Sequence, residues 1–174
     1  ASTAEVAAIA RVATAHGVPL VPRGAGTGLA GGANAVADGL VVSLARMNRV
    51  LEIDEENRVV VVQPGVVNAD LKMAVAGHGL HFAPDPASYE TSTIGGNLAT
   101  NAGGLCCVKY GVTGDTVLGL QVVLADGAVI RTGGRNVKDV AGYSMKDLFI
   151  GSEGTLGIIT EVLIKLLPKP KARG

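Results

Sequence analysis

Glycine carries the clearest chemical signal in this sequence, and it comes in three blocks. PRGAGTGLAGGA spans residues 22–33, TIGGNLATNAGG spans 93–104 and GSEGTLGIIT spans 151–160. Glycine loses more backbone entropy on folding than any other residue, so dense glycine marks places where something must come closer to the backbone than a side chain allows. In the first block, amides freed of side chains can converge into an anion-binding concavity. A diphosphate is the natural guest. In the second block, Thr93, Asn97, Thr100 and Asn101 offer donors and acceptors for a large heterocycle and a polyol chain. Separate glycine platforms imply an elongated ligand contacted along its length.

Gly26, Gly28 and Gly31 also spell G-x-G-x-x-G, the fingerprint of a Rossmann-type NAD-binding domain. That mechanism needs a helix opening directly after the glycines, with its N-terminus on the pyrophosphate. Here ANAVADGLVVSL follows, with no helical apolar period and an Asp-Gly pair, and it runs straight into a strand. Pro19 and Pro22 also suit a central parallel strand poorly. The Rossmann reading is therefore a minor alternative, beside a tight turn that holds nothing.

Other reactive side chains give less. Cys106 and Cys107 are adjacent, which fits no zinc knuckle or C-x-x-C pair. They read as reduced thiols suited to a reducing compartment, with a strained vicinal disulfide as the alternative. His78 and His81 lack the H-E-x-x-H spacing and a third ligand, so no metal site is expected. His16 falls at a helix C-terminus, where the dipole favours a cation. No histidine reads as a catalytic base, and no catalytic residue is assigned. Lys109 with Tyr110, and Lys138 with Tyr143, read equally well as ligand neighbours or as ordinary surface residues.

The elements that must position these blocks follow from patterning. Ser2 and Glu5 form a capping box. Val6, Ile9, Ala10 and Ala13 follow at helical spacing and Gly17 closes, so residues 3–16 read as an amphipathic helix. VPLVP (18–22), LVVSL (40–44), VLEID (50–54) and RVVVVQPG (58–65) read as strands. Asn68 is placed as the cap of a second helix, ADLKMAVA, ended by Gly77. VLGLQVVLA and AVIRT flank Asp126-Gly127, a two-residue hairpin signal. A short helix and a final strand, LGIITEVLIKLL, close the pattern before Pro168. Strict βαβ alternation is lost after the first strands, so the fold class is α+β. Two lobes are expected, at about residues 1–66 and 67–174. The first has a small parallel or mixed sheet, and the second a larger antiparallel sheet with flanking helices.

Composition sets bounds. Hydrophobic residues make up 48% and charged residues 17% of 174, which argues against disorder. Net charge is zero without a basic block, and aromatics are 3%, so neither a nucleic-acid surface nor a base-stacking platform is expected. No apolar run reaches transmembrane length. The start, ASTAEVAAIAR, has no basic region and does not read as a signal peptide. It lacks an initiator Met, so the sequence reads as beginning inside a longer protein.

Taken together, PRGAGTG, PDPAS, TIGGNLATNAGG, KYG, GLQVVLADGAVIRTG and DLFIGSEGTLGIIT resemble the FAD-binding PCMH-type domain of the vanillyl-alcohol oxidase superfamily. The likeness is strongest to its branch of glycolate oxidase FAD subunits and D-lactate and D-2-hydroxyglutarate dehydrogenases. It covers nearly the whole chain, with the motifs in family order. It implies FAD as the cofactor, with Arg23, Gly24, Ala25, Gly26, Thr27, Gly28 and Leu29 around the diphosphate. Pro84, Asp85, Thr93, Ile94, Gly95, Gly96, Asn97, Thr100, Asn101 and Gly103 would line the ribityl and flavin portions. Glu153, Gly157, Ile158 and Ile159 would hold the adenosine end, although the two isoleucines read equally as strand core.

The resemblance further implies an FAD-dependent oxidoreductase acting on CH–OH groups of a 2-hydroxy acid. The family's C-terminal substrate or cap domain, with its His-rich motif, is missing from this sequence, and so is the strand expected before the first helix. The isolated piece is therefore expected to be inactive. An iron–sulfur electron-transfer subunit and a cytoplasmic location, peripheral to the membrane through partner subunits, are also implied. The alternative is a non-catalytic FAD-binding structural or interaction module. Covalent members often carry a histidine in the diphosphate loop. RGAGTG has none, so FAD should be dissociable. Heat or acid precipitation should leave the flavin absorbance in the supernatant, and colour retained by the pellet would show a covalent link.

Overall fold

The computed structural model describes residues 1–170. The first helix, α1 (Thr3–Ala15), starts where the capping box predicts: Ser2 Oγ accepts the Glu5 amide at 3.3 Å. Its inner face buries Val6, Ala7, Ala10 and Ala13. It ends as Gly17 turns left-handed at φ +63°, a conformation open to glycine without a Cβ penalty.

Next, β1 (Leu20–Arg23) pairs in parallel with β2 (Leu40–Ser43), in register from Leu20↔Leu40 to Arg23↔Ser43. Parallel neighbours need a crossover, usually a helix. Here the crossover is the glycine-rich loop of residues 24–39, which holds no helix.

The larger sheet contains β3 (Val50–Asp54), β4 (Val59–Val62), β6 (Val117–Val123), β7 (Val129–Gly133) and β8 (Ile158–Lys165). It is antiparallel throughout, in the order β3-β4-β8-β6-β7. The interior strands β4 and β6 are buried along nearly their whole length, and both sequences run almost continuously apolar. The β6–β7 hairpin turns at Asp126-Gly127 as its sequence predicts, with Gly127 at φ +79° and Val123 opposite Val129.

Against this sheet pack α2 (Asn68–Ala76) and α3 (Ile94–Ala99). β5 (Leu80–His81) pairs with β9 (Leu167–Pro168). Two short helices, α4 (Cys107–Tyr110) and α5 (Lys146–Phe149), lie in the connections. The main core gathers Val60, Val62, Leu71, Phe82, Ile94, Leu98 and Ile164. A second cluster, under α1, joins Val6 and Ala10 to Val42, Met47, Val123 and Ile158. The result is an α+β fold with a small parallel sheet and a larger antiparallel one.

Two sequence expectations need correction. The boundary placed near residue 66 does not follow the sheets, because β3 and β4 hydrogen-bond into the five-stranded sheet. Asn68 does not cap α2; Val67 holds that position, with no side-chain cap bond. The first-turn amides of α2 are satisfied by another segment instead, Asn68 N donating to Ser92 O and Ala69 N to Tyr89 O. Carbonyls of a neighbouring segment can thus replace a cap residue.

Phe82 is wholly buried in the main core. Phe82→Ala should cost about 3–5 kcal/mol in urea unfolding followed by circular dichroism. Ser2→Ala should cost about 1 kcal/mol through loss of the α1 cap.

Candidate functional site

The three glycine blocks meet at one cleft of about 720 Å³. One wall is residues 24–33, the crossover loop between β1 and β2. The other is Pro86, Ala87 and Ser88 together with the outer face of α3: Thr93, Gly96, Asn97, Ala99 and Thr100. A narrower inner recess continues past Pro22, Gly24, Thr93, Gly96, Ala99 and Glu153, which line both spaces, and is walled by Leu44, Pro64, Phe149, Gly157, Ile158 and Ile159.

Close contacts explain why the walls are glycine. A Cβ on Gly24 would collide with Thr93 Oγ1, the oxygen that caps α3 by accepting the Gly96 amide at 3.4 Å. The loop and the start of α3 therefore touch backbone to cap. The third block hangs from the last turn of α3: Gly151 N donates to Leu98 O and Glu153 N to Ala99 O, each at 2.9 Å. Those carbonyls are ones a helix end leaves unpaired. Glu153 takes φ +50° to make this contact, and its carboxylate lies against Gly32 of the crossover loop.

Among the described residues, the amides of residues 25–33 donate to no other group of the chain. Beside them, the Arg23 guanidinium folds back over Gly26 and makes no ion pair among the described residues. Uncommitted amides with a cation alongside suit an anion. Across the cleft Asn97 is 3% exposed, and its Nδ2 has no acceptor among the described residues. A buried unpaired donor on a ligand-sized cleft asks for a partner. The residues present thus fit a long, polar, anionic ligand.

Of the residues singled out in the sequence, most line this space: Arg23, Gly24, Ala25, Gly26, Thr27, Gly28, Leu29, Thr93, Gly95, Gly96, Asn97, Thr100, Glu153, Gly157, Ile158 and Ile159. Ile158 and Ile159 are also core residues, on opposite faces of β8. Five others stand off it. Pro84 is buried and accepts from Asn68 Nδ2 at 3.3 Å. The Asp85 carboxylate accepts the Cys106 amide at 2.9 Å. Ile94 points into the main core. Asn101 lines a different cavity and accepts from the Gly114 amide. Gly103 faces Cys107 and Val112.

Sequence reading missed Pro86, Ala87, Ser88, Ala99 and Ala102 on the cleft. The small residues Gly96, Ala99 and Thr100 at helical spacing were a usable signal, since one face of a short helix stays stripped only where something lies on it. The G-x-G-x-x-G match ends as the flanking residues foretold, with no helix after it. Cys106 and Cys107 are both free thiols, and no group of metal-ligating side chains forms among the described residues.

The FAD binding domain family matches residues 1–133. Over 172 residues the chain is 54% identical to the glycolate oxidase subunit GlcD of Bacillus subtilis, covering 99% of this chain and 37% of that protein. Over 171 residues it is 47% identical to a D-lactate dehydrogenase of Anaerostipes hadrus, covering 98% of this chain and 36% of that one. The chain thus spans little more than a third of these relatives. Among solved structures, an alkyldihydroxyacetonephosphate synthase superposes with TM-score 0.86 at 32% identity, over 98% of this chain and 31% of that one. A match of this extent, on a cleft with these uncommitted donors, fixes the family: the chain is a PCMH-type FAD binding domain, and its cofactor is FAD.

Proposed function

We propose that FAD lies along the cleft, with its diphosphate on the amides of residues 25–33 and beside Arg23, and that this chain is the flavin domain of a 2-hydroxy-acid dehydrogenase or oxidase of the glycolate or D-lactate type. One observation carries the placement: among the described residues the loop amides are uncommitted, and the buried, unpaired Asn97 amide lines the same cleft. Gly95, Gly96, Asn97 and Thr100 hold the flavin and ribityl portions. Glu153, Gly157, Ile158 and Ile159 take the adenosine end. Pro84, Asp85, Ile94, Asn101 and Gly103 support these walls from behind. With no histidine in the diphosphate loop, the FAD is held without a covalent bond.

Bound FAD would accept two electrons from the C–H bond of a 2-hydroxy acid. The chain's own share is orientation. The glycine loop fixes the anionic end, and the wall formed by α3 and Pro86, Ala87 and Ser88 shields the other side. The substrate class is supported by the relatives named glycolate oxidase subunit and D-lactate dehydrogenase. The titratable side chains lining the cleft and its inner recess are Arg23 and Glu153, and the Glu153 carboxylate lies against Gly32 of the loop. A base for the substrate hydroxyl therefore comes from a further domain, which is consistent with relatives nearly three times as long. An iron–sulfur partner and a cytoplasmic site belong to the same proposal. No helix among the described residues is long and apolar enough to cross a membrane.

The placement is tested by titration. FAD should bind more tightly than FMN, by about tenfold or more, about 1.4 kcal/mol per decade. Gly26→Val should abolish FAD binding with modest loss of fold, because Gly26 sits at φ +73° and a Cβ there would lie 2.8 Å from Arg23 Nη2. Gly28→Ala, where a Cβ meets nothing closer than Thr100 Cγ2 at 4.0 Å, should keep the fold and still weaken FAD. Wild-type affinity in both Gly26→Val and Gly28→Val would move the diphosphate elsewhere.

The division of labour has its own test. FAD-loaded chain mixed anaerobically with D-lactate or glycolate should stay oxidised, while dithionite bleaches it. Rapid bleaching by either acid would place a base within this chain, with Glu153→Gln the first variant to make.

A further inference from the structure

Apolar side chains crowd the outside of one segment. Between residues 137 and 148, Val137 is 76% exposed, Val140 84%, Tyr143 92%, Leu148 53% and Met145 45%. Contiguous exposed apolar surface of this kind marks interaction sites.

The segment is also detached from the body. Its last tie on one side is Gly134 N to Leu118 O, with Arg135 paired to Glu52 at 2.8 Å; on the other it is Gly151 N to Leu98 O. Among the described residues, the hydrogen bonds of residues 136–148 stay within four positions along the chain. A cavity of about 490 Å³ separates the segment from Asn101, Asp115, Leu118 and Lys165. A long connection of this kind is usually functional. Val137, Tyr143 and Met145 sit on the rim of that cavity and Val140 and Leu148 outside it, and all five stay exposed rather than joining the core.

We propose that residues 137–148 are the seat of the further domain of a longer protein, with Val140 and Tyr143 as its apolar anchors. This rests on the reading of the chain as one domain of such a protein. The occupant is argued from length. The fold makes up 37% of the Bacillus subtilis relative and 31% of the synthase structure, so in both it adjoins about two thirds of another chain's mass. Some of its surface must there be an interface, and this segment is where apolar groups accumulate without partners. The nearby charges are mixed, with Lys138 and Lys146 beside Asp139 and Asp147, which favours a protein partner over an anionic lipid surface. The segment also leads directly into Phe149 and Ser152 of the inner recess, so a domain seated here stands beside the cofactor cleft.

Hydrogen exchange tests this on the chain alone and on a fusion of the chain to the portion of the Bacillus subtilis relative that lies beyond the match. Exchange across 137–148 should slow on the order of tenfold or more in the fusion, a protection of about 1.4 kcal/mol per decade. Val140→Asp and Tyr143→Asp should restore fast exchange in the fusion while leaving the melting temperature of the chain alone unchanged. Equal exchange in chain and fusion overturns the proposal. So does slowing confined to Leu105 and Val108, the other strongly exposed apolar pair. A doubling of mass in the chain alone with 137–148 protected would assign the surface to a second copy. FAD titration of the chain alone, with and without these substitutions, is read separately: loss of FAD binding by the wild type counts against the cofactor placement and leaves the exchange result standing.

Discussion

The site depends on the parallel pairing of β1 with β2. Those two short strands fix both ends of the crossover loop, from Leu20↔Leu40 to Arg23↔Ser43, and the second core cluster clamps them under α1 through Val42 and Leu44. With its ends held, the intervening backbone can bend and turn while the amides of residues 25–33 stay without partners among the described residues. Were the loop to satisfy its own amides, it would become a helix or a tight turn and leave no donors free for an anion. The family's fold thus solves a conflict between order and availability. Rigidity is supplied by the flanking strands, and the binding groups are left out of the hydrogen-bond ladder.

A second dependence runs through α3. It is short, yet the other two glycine blocks both meet it. Thr93 at its start meets Gly24, its outer face lines the cleft, and its last carbonyls hold Gly151 and Glu153. The helix is therefore a junction through which the three glycine blocks, far apart in sequence, acquire one geometry. The left-handed Glu153 fits this picture, since non-glycine residues held at positive φ persist where surrounding contacts over-determine them.

Local signals were legible in the sequence, and pairings between distant segments were not. The α1 cap, the Asp126-Gly127 hairpin and the three glycine blocks could be read because each rests on residues within a few positions of one another. The order β3-β4-β8-β6-β7 could not, because β8 inserts between strands about a hundred and about forty residues earlier, and nothing local encodes that choice. The pairing of Leu80 with Pro168 escaped for the same reason. Asn68 was misplaced because a helix-start pattern normally calls for a side-chain cap, and here the carbonyls of Tyr89 and Ser92 do that work. In the candidate site, the glycines were read and Ala99 was not, although it shares a helical face with Gly96 and Thr100, because lack of bulk does not by itself name what lies on it.

Among the described residues, the amides of residues 25–33 donate to no other group of the chain, so the loop is held chiefly at its ends. A segment with so few internal hydrogen bonds opens at little free-energy cost, so cleavage there tracks the open population. A ligand that binds only the closed arrangement lowers that population by mass action, in proportion to its concentration over its dissociation constant. Anything held on those amides thereby also closes the segment to cleavage, so occupancy of the cleft and integrity of the chain rise together.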